Sequence, residues 1–591
     1  MLGAMILRFL SFLSVAVCLF VTNSLQAATS GPEIVPGPNK LTADSEVQAG
    51  VPKGREEKVV LPTSKIFAGA DHDCWVYVPA QYDAAKPACV MIFQDGGGYV
   101  NREGGWRVPV VFDNLIARGE MPVTVGVFIN PGEVKAVSPE ALPRYNRSFE
   151  YDGLGDGYAR FLLEEVLPEI QKKYPLSQNP DDRALAGSSS GAVCAFTAAW
   201  ERPDAFRRVF STIGTYVSLR GANAYPSLIR KMAPKPLRVY LQDGINDQNI
   251  YGGDWWVANL EMERSLTFAG YEVNHLWGDG GHDGGQGGQI LPEALRWLWK
   301  DHGKTPVAIH PEQTKQPVSQ WAELASGWEV VGSGYKFAEG PCANAKGEVF
   351  FTDGDKGIQK IGLDGKITLF AKHPDGPMGL AFGPGGTLYA GTKGNIVSFD
   401  AEGKPTQVAT GFAPNDLVVT HSGNIYATEF KTGKVWLIPV GGLPVVVDEG
   451  IRRPNGVVLS PDQSLLYVAD TEGQFVWSFQ IAAEGKLTNK QRYFHLHLAD
   501  NARSNADGMC VDKDGRLYVA TSMGVQICDQ AGRVNAIIPK PEPGWFANVD
   551  FGGEKMEYLY ATAHDKVFRH KMKVSGFRYA DAPFKPEKPR L

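Results

Sequence analysis

The sequence of 591 residues predicts a multidomain chain in which an α/β domain is followed by an all-β domain. Up to about residue 303, short apolar runs alternate with helix-like runs, and a G-x-S-x-G turn joins one such pair. From about residue 326 onward a short strand pattern recurs roughly every 40 residues, without helical stretches. Because a single core cannot organise a chain of this length, two large domains are expected.

The G-x-S-x-G turn occupies residues 187–191 and places Ser189 at its centre. It follows the short apolar run 183–186 and precedes the helix-forming run 192–200. Glycines beside the serine allow a sharp turn that holds Oγ out at the end of a sheet, with a helix N-terminus facing developing negative charge. The turn therefore predicts Ser189 as a nucleophile.

Candidate partners for Ser189 follow in the order acid and then histidine. Residues 237–241 read as a buried strand, and Asp247 comes shortly after it in a G-x-x-D turn. His282 lies in a glycine-rich loop further along. This order of serine, acid and histidine is that of the α/β-hydrolase fold, so Asp247 is predicted to orient His282 as the general base. Asp243 and Asp254 are alternative acids.

An oxyanion-binding loop is expected after an earlier strand of the same sheet. The apolar run 89–93 leads directly into glycines at 96–98. Glycine lets backbone N–H groups approach a tetrahedral oxyanion closely, which acyl transfer requires. Gly96 and Gly97, together with the N–H of Ser190 after the nucleophile, form the predicted oxyanion loop.

Aromatic residues near these motifs suggest a wall for a sugar or an aryl acyl group. Trp255 and Trp256 are the predicted substrate contacts, with Trp106 and Tyr251 as further members of that wall. For each residue alone, packing at the start of a following helix explains the sequence equally well.

The first half resembles the esterase family that includes enterochelin esterases and the feruloyl and acetylxylan carbohydrate esterases. The resemblance covers about residues 56–302 and rests on five stretches: 93–96, 147–152, the turn at Ser189, 242–256 and 281–283. It implies Ser189 as nucleophile, His282 as base and an orienting carboxylate near Asp247. The serine mechanism needs no cofactor, so none is expected in this half.

The second half repeats a short strand with an aromatic residue near its middle. The separations between successive aromatic residues are 39, 37, 41, 51 and 42 residues. Repeats of about 40 residues built from strands and turns indicate four-stranded blades, so six copies predict a six-bladed β-propeller. The aromatic positions are Phe350, Tyr389, Tyr426, Tyr467, Tyr518 and Tyr560.

Four polar residues recur about 11 residues before these aromatic strands, namely Glu339, Asn415, Asn455 and Asp507. In a propeller this spacing brings their oxygens to one end of the central channel. Oxygen ligands suit a divalent metal such as Ca, Mg or Mn, or a catalytic Zn. A single Asn-Gly or Asp-Gly pair would be an ordinary turn, but the recurrence favours a site.

This half resembles the family of gluconolactonase, senescence marker protein and luciferin-regenerating enzyme, over about residues 330–575. The resemblance implies that Glu339, Asn455 and Asp507 are metal ligands and that Asp507 doubles as the acid/base in lactone hydrolysis. It also implies that Asn415 contacts metal-bound water or substrate. The chain carries Ala413 where some members have an arginine, which bears on sugar-lactone specificity.

The N-terminus predicts export. Arg8 precedes an apolar run at 9–21, followed by polar and then small residues, which is typical of a cleaved signal peptide, with a retained anchor as the alternative. The predicted boundaries are signal 1–28, extended leader 29–55, α/β-hydrolase domain 56–303, proline-containing linker 304–325 and propeller 326–580. A secreted or periplasmic location follows, with no membrane span after signal removal.

The composition gives no indication of nucleic-acid binding, and the two resemblances imply small-molecule or carbohydrate ester and lactone substrates. The formal net charge is -6, and no block of basic residues attracts phosphates. The sequence predicts a secreted ester hydrolase with a serine esterase domain and a metal-dependent, lactonase-like propeller. The alternative is an esterase whose propeller serves only for binding or docking. The cysteines are expected to be buried thiols, although Cys74 and Cys89 could form a disulfide.

Overall fold

The structure is a computed structural model that describes residues 32–37, 39–354, 357–373, 375–498 and 503–588. The predicted signal peptide, residues 1–28, lies outside the described residues. We refer to residues 32–325 as the first unit and to residues 326–588 as the second unit.

The first unit is built around an eight-stranded sheet. The strand Asp73–Val78 pairs antiparallel with both of its neighbours, Arg55–Val60 and Thr124–Ile129. All the other pairings in the sheet are parallel. The carboxyl ends of the parallel strands therefore share one edge, where loops can bring functional side chains together. In spatial order the strands are Arg55–Val60, Asp73–Val78, Thr124–Ile129, Cys89–Gln94, Arg183–Ser188, Arg208–Thr212, Arg238–Gly244 and Glu272–Gly278.

Helices cover both faces of this sheet, and each face has its own apolar cluster. A π-helical turn lies at Phe161–Val166, and short strands form a three-stranded sheet (Ala70–Asp71, Glu133–Val134, Arg144–Tyr145) and a hairpin (Asn249–Ile250, Gly253–Asp254). The α-helices are Gly96–Val100, Val108–Ala117, Arg147–Tyr151, Gly157–Arg160, Leu167–Gln171, Ser190–Glu201, Tyr225–Lys231, Trp255–Ala269 and Gly285–Leu298.

The segment before the first strand is docked on the sheet domain rather than extended away from it. The Val35 N–H donates to the Trp277 carbonyl at 2.8 Å. Asp44, in the 3-10 turn Ala43–Ser45, forms ion pairs with Arg118 at 2.7 Å and Arg296 at 2.6 Å. The proline-rich composition predicts an extended leader. It cannot indicate the docking, because the partners of this segment lie far along the chain and leave no local sequence signal.

The described residues of the second unit form six four-stranded antiparallel sheets. From the first to the last strand of each sheet, sheet 1 is Ala338–Ala343, Val349–Asp353, Gly357–Ile361, Ile367–Ala371; sheet 2 is Leu380–Phe382, Leu388–Gly391, Asn395–Phe399, Pro405–Thr410; sheet 3 is Leu417–Val419, Ile425–Glu429, Lys434–Ile438, Val445–Glu449; sheet 4 is Pro454–Leu459, Leu465–Asp470, Phe475–Ile481, Leu487–His495; sheet 5 is Met509–Val511, Leu517–Thr521, Gly524–Cys528, Val534–Pro539; and sheet 6 is Asn548–Gly552, Tyr558–Ala563, Lys566–Lys571, Trp328–Ser333.

The first strands of the six sheets contact one another in sequence, and the first strand of sheet 6 also contacts that of sheet 1. In every sheet the second strand carries the repeated aromatic residue noted in the sequence. Sheet 6 combines three strands from the end of the chain with Trp328–Ser333 from the start of the unit, which pairs with Lys566–Lys571. The contacts therefore close on themselves.

The two units touch through the helix Tyr225–Lys231 and the segment that joins them. The Ala233 N–H donates to the Ile537 carbonyl at 3.1 Å. Gln316 is fully buried, and its side-chain amide donates to the carbonyls of Ile229 and Met232. The joining segment, which includes the short helix Val318–Trp321, is thus packed rather than a free spacer.

The cysteines in the described residues are all free and buried, so Cys74 and Cys89 form no disulfide here. Both lie in strands of the first-unit sheet, where Cys74 neighbours Ile129 and Cys89 neighbours Thr124. These cysteines therefore pack as small apolar side chains. None of the helices in the described part of the chain combines the length and apolar character that a membrane crossing requires.

Candidate active sites

Ser189 occupies a sharp turn between the strand Arg183–Ser188 and the helix Ser190–Glu201. Its backbone has φ 59° and ψ −124°, a conformation that residues other than glycine rarely adopt. A Cβ added at Gly187 would lie 2.3 Å from the backbone of Gly191, so the close packing of strand and helix requires glycine. The turn thus places Ser189 directly after the carboxyl end of a parallel strand and directly before a helix N-terminus.

The side chains of Ser189, His282 and Asp247 are connected by two successive hydrogen bonds. His282 Nε2 lies 2.8 Å from Ser189 Oγ, and His282 Nδ1 lies 2.7 Å from Asp247 Oδ1. The Asp247 side chain is shielded from solvent, whereas that of His282 is 18% exposed. Burial raises the pKa of Asp247, but hydrogen bonds from His282 and other donors outweigh burial and hold that pKa below its ordinary value.

The acid and the histidine meet because the two loops that carry them pack against each other. The Ile245 N–H donates to the Gly278 carbonyl at 2.9 Å, and the Asn246 N–H donates to the Gly280 carbonyl at 3.1 Å. A Cβ at Gly244 would lie only 2.2 Å from the Gly280 oxygen. The glycines of these loops therefore set the distance between Asp247 and His282.

The two alternative acids have different surroundings. Asp254 caps the helix Trp255–Ala269 by accepting from the Val257 N–H at 3.0 Å. Asp243 is fully buried at the end of the strand Arg238–Gly244, where it accepts from Asn259 Nδ2 at 2.8 Å. Only Asp247, among the three carboxylates considered, has a hydrogen bond to the imidazole of His282.

The predicted oxyanion loop is a short helix, Gly96–Val100, rather than an irregular loop. The Gly97 N–H donates to Asn130 Oδ1 at 2.9 Å, so this amide is already engaged. Gly96 and Ser190 are the first residues of their helices, and the first N–H groups of a helix have no partner within it. These two amides are the ones that the geometry leaves for an oxyanion.

Thr215 is a contact of the serine that the sequence did not indicate. Its Oγ1 lies 3.1 Å from Ser189 Oγ and accepts a hydrogen bond from Trp255 Nε1 at 3.1 Å. The indole of Trp255 is buried and meets the His282 ring edge-on at 5.8 Å. Trp255 therefore packs against His282 and holds Thr215, and being buried it does not form an exposed wall for a substrate.

The other aromatic candidates have different surroundings. Trp256 packs edge-on against Trp277 with ring centroids 5.3 Å apart. Trp106 packs on Tyr99 at 4.6 Å, and Tyr251 is 93% exposed. The sequence could not separate packing from substrate contact for these side chains, because both favour large aromatic residues near a helix start.

In the second unit, the four recurring polar residues lie at the start of, or two residues before, the first strands of their sheets. The Asn415 side-chain amide donates to Asn455 Oδ1, and Asn455 Nδ2 donates to Thr471 Oγ1 at 3.1 Å. The Trp545 indole N–H donates to Asp507 Oδ2 at 3.0 Å. The contact between Asn415 and Asn455 thus joins polar side chains that belong to two different sheets.

The charges at this end are strongly desolvated. Burial raises the pKa of Glu339, and burial together with the charge of Glu339 raises the pKa of Asp507 well above its ordinary range. Such carboxylates are unfavourable without a compensating positive charge. Their oxygens, with those of the neighbouring asparagines, fit a hard divalent cation.

Asn548 belongs to the same set and was missed in the sequence. Asn548 Nδ2 lies 3.4 Å from Glu339 Oε2, and the side chain is 7% exposed. It begins the first strand of sheet 6, 12 residues before Tyr560, which matches the spacing of Asn455 from Tyr467. The same spacing rule could therefore have identified it.

Comparisons with known proteins agree with this division. Residues 67–318 match the family described as "Putative esterase", and residues 337–565 match the "SMP-30/Gluconolactonase/LRE-like region". The chain joins an esterase-family domain to a gluconolactonase-like domain. It is a hydrolase that acts on ester or lactone bonds.

Individual relatives match one domain each. A gluconolactonase from Zymomonas mobilis is 26% identical over 292 residues, which is 42% of this chain and 82% of the relative. A gluconolactonase structure from Xanthomonas campestris is 22% identical with a TM-score of 0.38, covering 42% of this chain and 89% of that structure. The enterobactin esterase structure from Shigella flexneri is 21% identical with a TM-score of 0.35, covering 45% and 63%.

The esterase domain also carries a candidate metal-binding group outside the serine site, formed by Cys89, Asp182 and His302. His302 Nε2 lies 2.8 Å from Asp182 Oδ1 and 3.3 Å from Cys89 Sγ. Burial raises the pKa of the Cys89 thiol to about 12. Cys89 begins the strand Cys89–Gln94, so this group lies at the opposite end of the parallel strands from Ser189.

Proposed function

We propose that this chain is an exported, two-site hydrolase, with a serine esterase site in the esterase domain and a divalent-metal-dependent lactonase site in the gluconolactonase-like domain. The observation that carries the first part is the row of Ser189 Oγ, the His282 imidazole and Asp247 Oδ1, with contacts of 2.8 and 2.7 Å. A serine hydroxyl, an imidazole and a carboxylate in this order perform nucleophilic acyl transfer.

In the esterase reaction His282 Nε2 takes the Ser189 proton while Oγ attacks the acyl carbonyl. Asp247 Oδ1 holds the Nδ1 proton and stabilises the imidazolium that forms. His282 then returns the proton to the leaving alcohol, and a water molecule deprotonated by the same nitrogen clears the acyl-enzyme. Thr215 Oγ1, held by the Trp255 indole, keeps Ser189 Oγ oriented toward the imidazole.

The oxyanion is expected to accept hydrogen bonds from the N–H groups of Gly96 and Ser190. Both residues begin helices, so their N–H groups have no partner within those helices, and the helix dipoles favour negative charge there. A Cβ at Gly191 would lie 3.2 Å from Asp95 Oδ2, which indicates how closely the two helix starts approach. Gly97 contributes indirectly, by anchoring its helix to Asn130.

For the gluconolactonase-like domain we propose a six-bladed propeller with the metal ligands Glu339, Asn455 and Asp507 at one end of its axis. The closed series of contacts among the first strands of the six sheets supports this arrangement. A divalent cation bound there would polarise a lactone carbonyl and acidify water. Asp507, fixed by the Trp545 indole, is positioned to hold or release a proton, and Asn415 is positioned to contact the substrate.

The proposed substrates are small acyl esters, including sugar-linked ones, for the esterase domain and lactones for the other domain. Arg8 and the apolar run at residues 9–21 support export to a secreted or periplasmic location.

Two substitutions in the full-length chain test the two sites. Ser189→Ala should abolish hydrolysis of a small aryl ester, while Ser218→Ala, a nearby exposed serine, should not. Asp507→Asn or a chelator should abolish lactone hydrolysis, while Asp514→Asn on an exposed turn should not. Unchanged aryl-ester turnover in Ser189→Ala would refute the serine mechanism. Lactone turnover that survives a chelator would refute the metal-dependent one.

A further inference from the structure

The second oxygen of the Asp247 carboxylate has an unusual environment. Oδ1 accepts from His282 Nδ1 at 2.7 Å and from the Gln248 N–H at 2.5 Å. Oδ2 is shielded from solvent, and none of the backbone, amide or hydroxyl groups of the described residues donates a hydrogen bond to it. A buried, ionised carboxylate oxygen without a hydrogen-bond donor is energetically unfavourable. A neighbouring group is therefore expected to supply a donor.

The neighbouring group is the carboxyl group of Asp243, which interacts with the Asp247 carboxylate as a side-chain hydrogen-bond partner. Asp243 has no exposed surface, and its two oxygens accept from the Gly244 N–H at 2.7 Å and from Asn259 Nδ2 at 2.8 Å. Two ionised carboxylates in this buried place would repel each other strongly. A single shared proton removes the repulsion and supplies the missing donor.

We propose that Asp243 is a protonated carboxylic acid in the resting enzyme and donates its proton in a hydrogen bond to Asp247 Oδ2. It is thus a positioning residue, because it acts on the substrate only through Asp247 and His282. This inference rests on the proposed serine esterase function.

The surrounding charges agree with this assignment. Burial, followed by the neighbouring Asp247, raises the pKa of Asp243 to about 9. Among the described residues, the titratable groups recorded in contact with the pair are the two aspartates themselves and His282, which hydrogen-bonds to Asp247 from its loop. The helix Trp255–Ala269 presents the neutral side chain of Asn259, whose amide group also donates to the carbonyls of Gly214 and Trp255.

The proton on Asp243 has two consequences for the reaction. It fixes the plane of the Asp247 carboxylate, so that Oδ1 stays aimed at His282 Nδ1. It also limits the pair to one negative charge, which the imidazolium formed during attack balances. When Asp243 loses its proton at high pH, Asp247 Oδ2 loses its donor and faces a second anion, so turnover should fall.

The test compares pH profiles of aryl-ester hydrolysis for the wild type, Asp243→Asn and Asp243→Ala. The wild-type kcat should fall at alkaline pH, because burial and the neighbouring Asp247 raise the pKa of Asp243 far above that of an ordinary aspartate. Asparagine keeps a permanent N–H donor, so Asp243→Asn should lack this alkaline decrease. Alanine removes the donor, so Asp243→Ala should lower kcat by about tenfold with KM nearly unchanged, and asparagine should partly restore kcat.

The control variant is Asp254→Asn, which changes a carboxylate of the same segment that caps a helix. It should keep the wild-type alkaline decrease. An infrared difference spectrum between the wild type and Asp243→Asn at neutral pH gives a second readout. It should contain the C=O stretch of a protonated carboxyl group in the wild type, and this band does not require Asp243→Ala to fold.

An alkaline decrease that persists in Asp243→Asn, or a difference spectrum without a protonated carboxyl band, would overturn the proposal. The outcome for Ser189→Ala separates this failure from failure of the esterase mechanism. If Ser189→Ala is inactive while the Asp243 variants behave as the wild type, only the role of Asp243 is wrong.

Discussion

Arg147 and Asp95 form a two-point ion pair beside the serine site, with Arg147 Nε 2.9 Å from Asp95 Oδ1 and Nη2 2.8 Å from Asp95 Oδ2. Asp95 has a left-handed backbone, with φ 57°, and immediately precedes Gly96. Because the pair uses both nitrogens, it fixes the orientation of the Asp95 carboxylate as well as its charge. The start of the helix Gly96–Val100, and with it the Gly96 N–H, is held by this contact.

Replacing Arg147 by lysine should lower kcat for aryl esters by about ten- to a hundredfold with little change in KM, because a point charge cannot hold the Asp95 turn in two directions. Steady-state kinetics would measure the change. Arg160→Lys is the matched control, since Arg160 forms an ion pair with Glu164 within an exposed helical segment. A similar loss of kcat in both variants would contradict the role of Arg147.

Asp247→Asn should lower kcat by about 10⁴-fold while the protein stays folded, because the amide cannot both accept the His282 Nδ1 proton and stabilise the imidazolium. Circular dichroism would check folding and aryl-ester turnover would check activity. Asp254→Asn should keep near-normal turnover, since Asp254 serves as a helix cap. The opposite ranking would transfer the orienting role to Asp254.

Gly244→Ala should reduce aryl-ester turnover by about a hundredfold or more, since the new Cβ would lie 2.2 Å from the Gly280 oxygen and push the His282 loop away from Asp247. Gly157→Ala is the control, because a Cβ there meets no heavy atom within 4 Å. Turnover and thermal unfolding should be measured together. Full activity in Gly244→Ala would show that the loop spacing is not critical.

Metal-free protein should lose stability in its gluconolactonase-like domain as the pH rises from 6 to 9. Asp416 and Asp550 line a central cavity of about 350 Å³, and burial raises their pKa values to about 7 and about 8. Groups whose pKa is raised by folding stabilise fully below their unfolded pKa of about 4, and this contribution disappears as the pH passes the folded values.

Calorimetry in a chelator would measure this loss, and each kcal/mol should move the midpoint by about 2–4 °C for a domain of this size. Adding Ca²⁺ at pH 9 should restore the midpoint if the predicted cation binds the folded domain. A midpoint that rises between pH 6 and 9 in the chelator would contradict the argument.

Asn548→Ala should weaken divalent-cation binding by about tenfold, because Asn548 Nδ2 contacts Glu339 Oε2 and orients a proposed ligand. Titration calorimetry with Ca²⁺ would measure the affinity. Asn344→Ala is the control, since Asn344 pairs with Glu348 outside the proposed ligand set. Equal affinities for wild type and Asn548→Ala would place Asn548 outside the site.

The parts of these sites that the sequence predicts are those encoded locally or by recurrence. The turn at Ser189 has its own glycine pattern, and Glu339, Asn455 and Asp507 share a spacing from their aromatic strands. The order of serine, acid and histidine follows from strand order in the fold. These features can be predicted without knowing which side chains contact one another across the sheet.

Contacts between distant segments were not predictable in this way. Whether Asp243, Asp247 or Asp254 faces His282 depends on the packing of two loops, and the occupation of the Gly97 amide depends on Asn130 from another strand. Docking of the leader through Asp44 depends likewise on Arg296, 252 residues away. Such pairs carry no periodicity or spacing signal.

The pairing of Trp328–Ser333 with Lys566–Lys571 also sets an order of events during synthesis. Trp328–Ser333 is made directly after the esterase domain, but it must wait for a partner made more than two hundred residues later. Until then a newly made strand edge is exposed to mispairing. Early termination near the C-terminus would therefore leave Trp328–Ser333 without its partner strand and its edge open to mispairing.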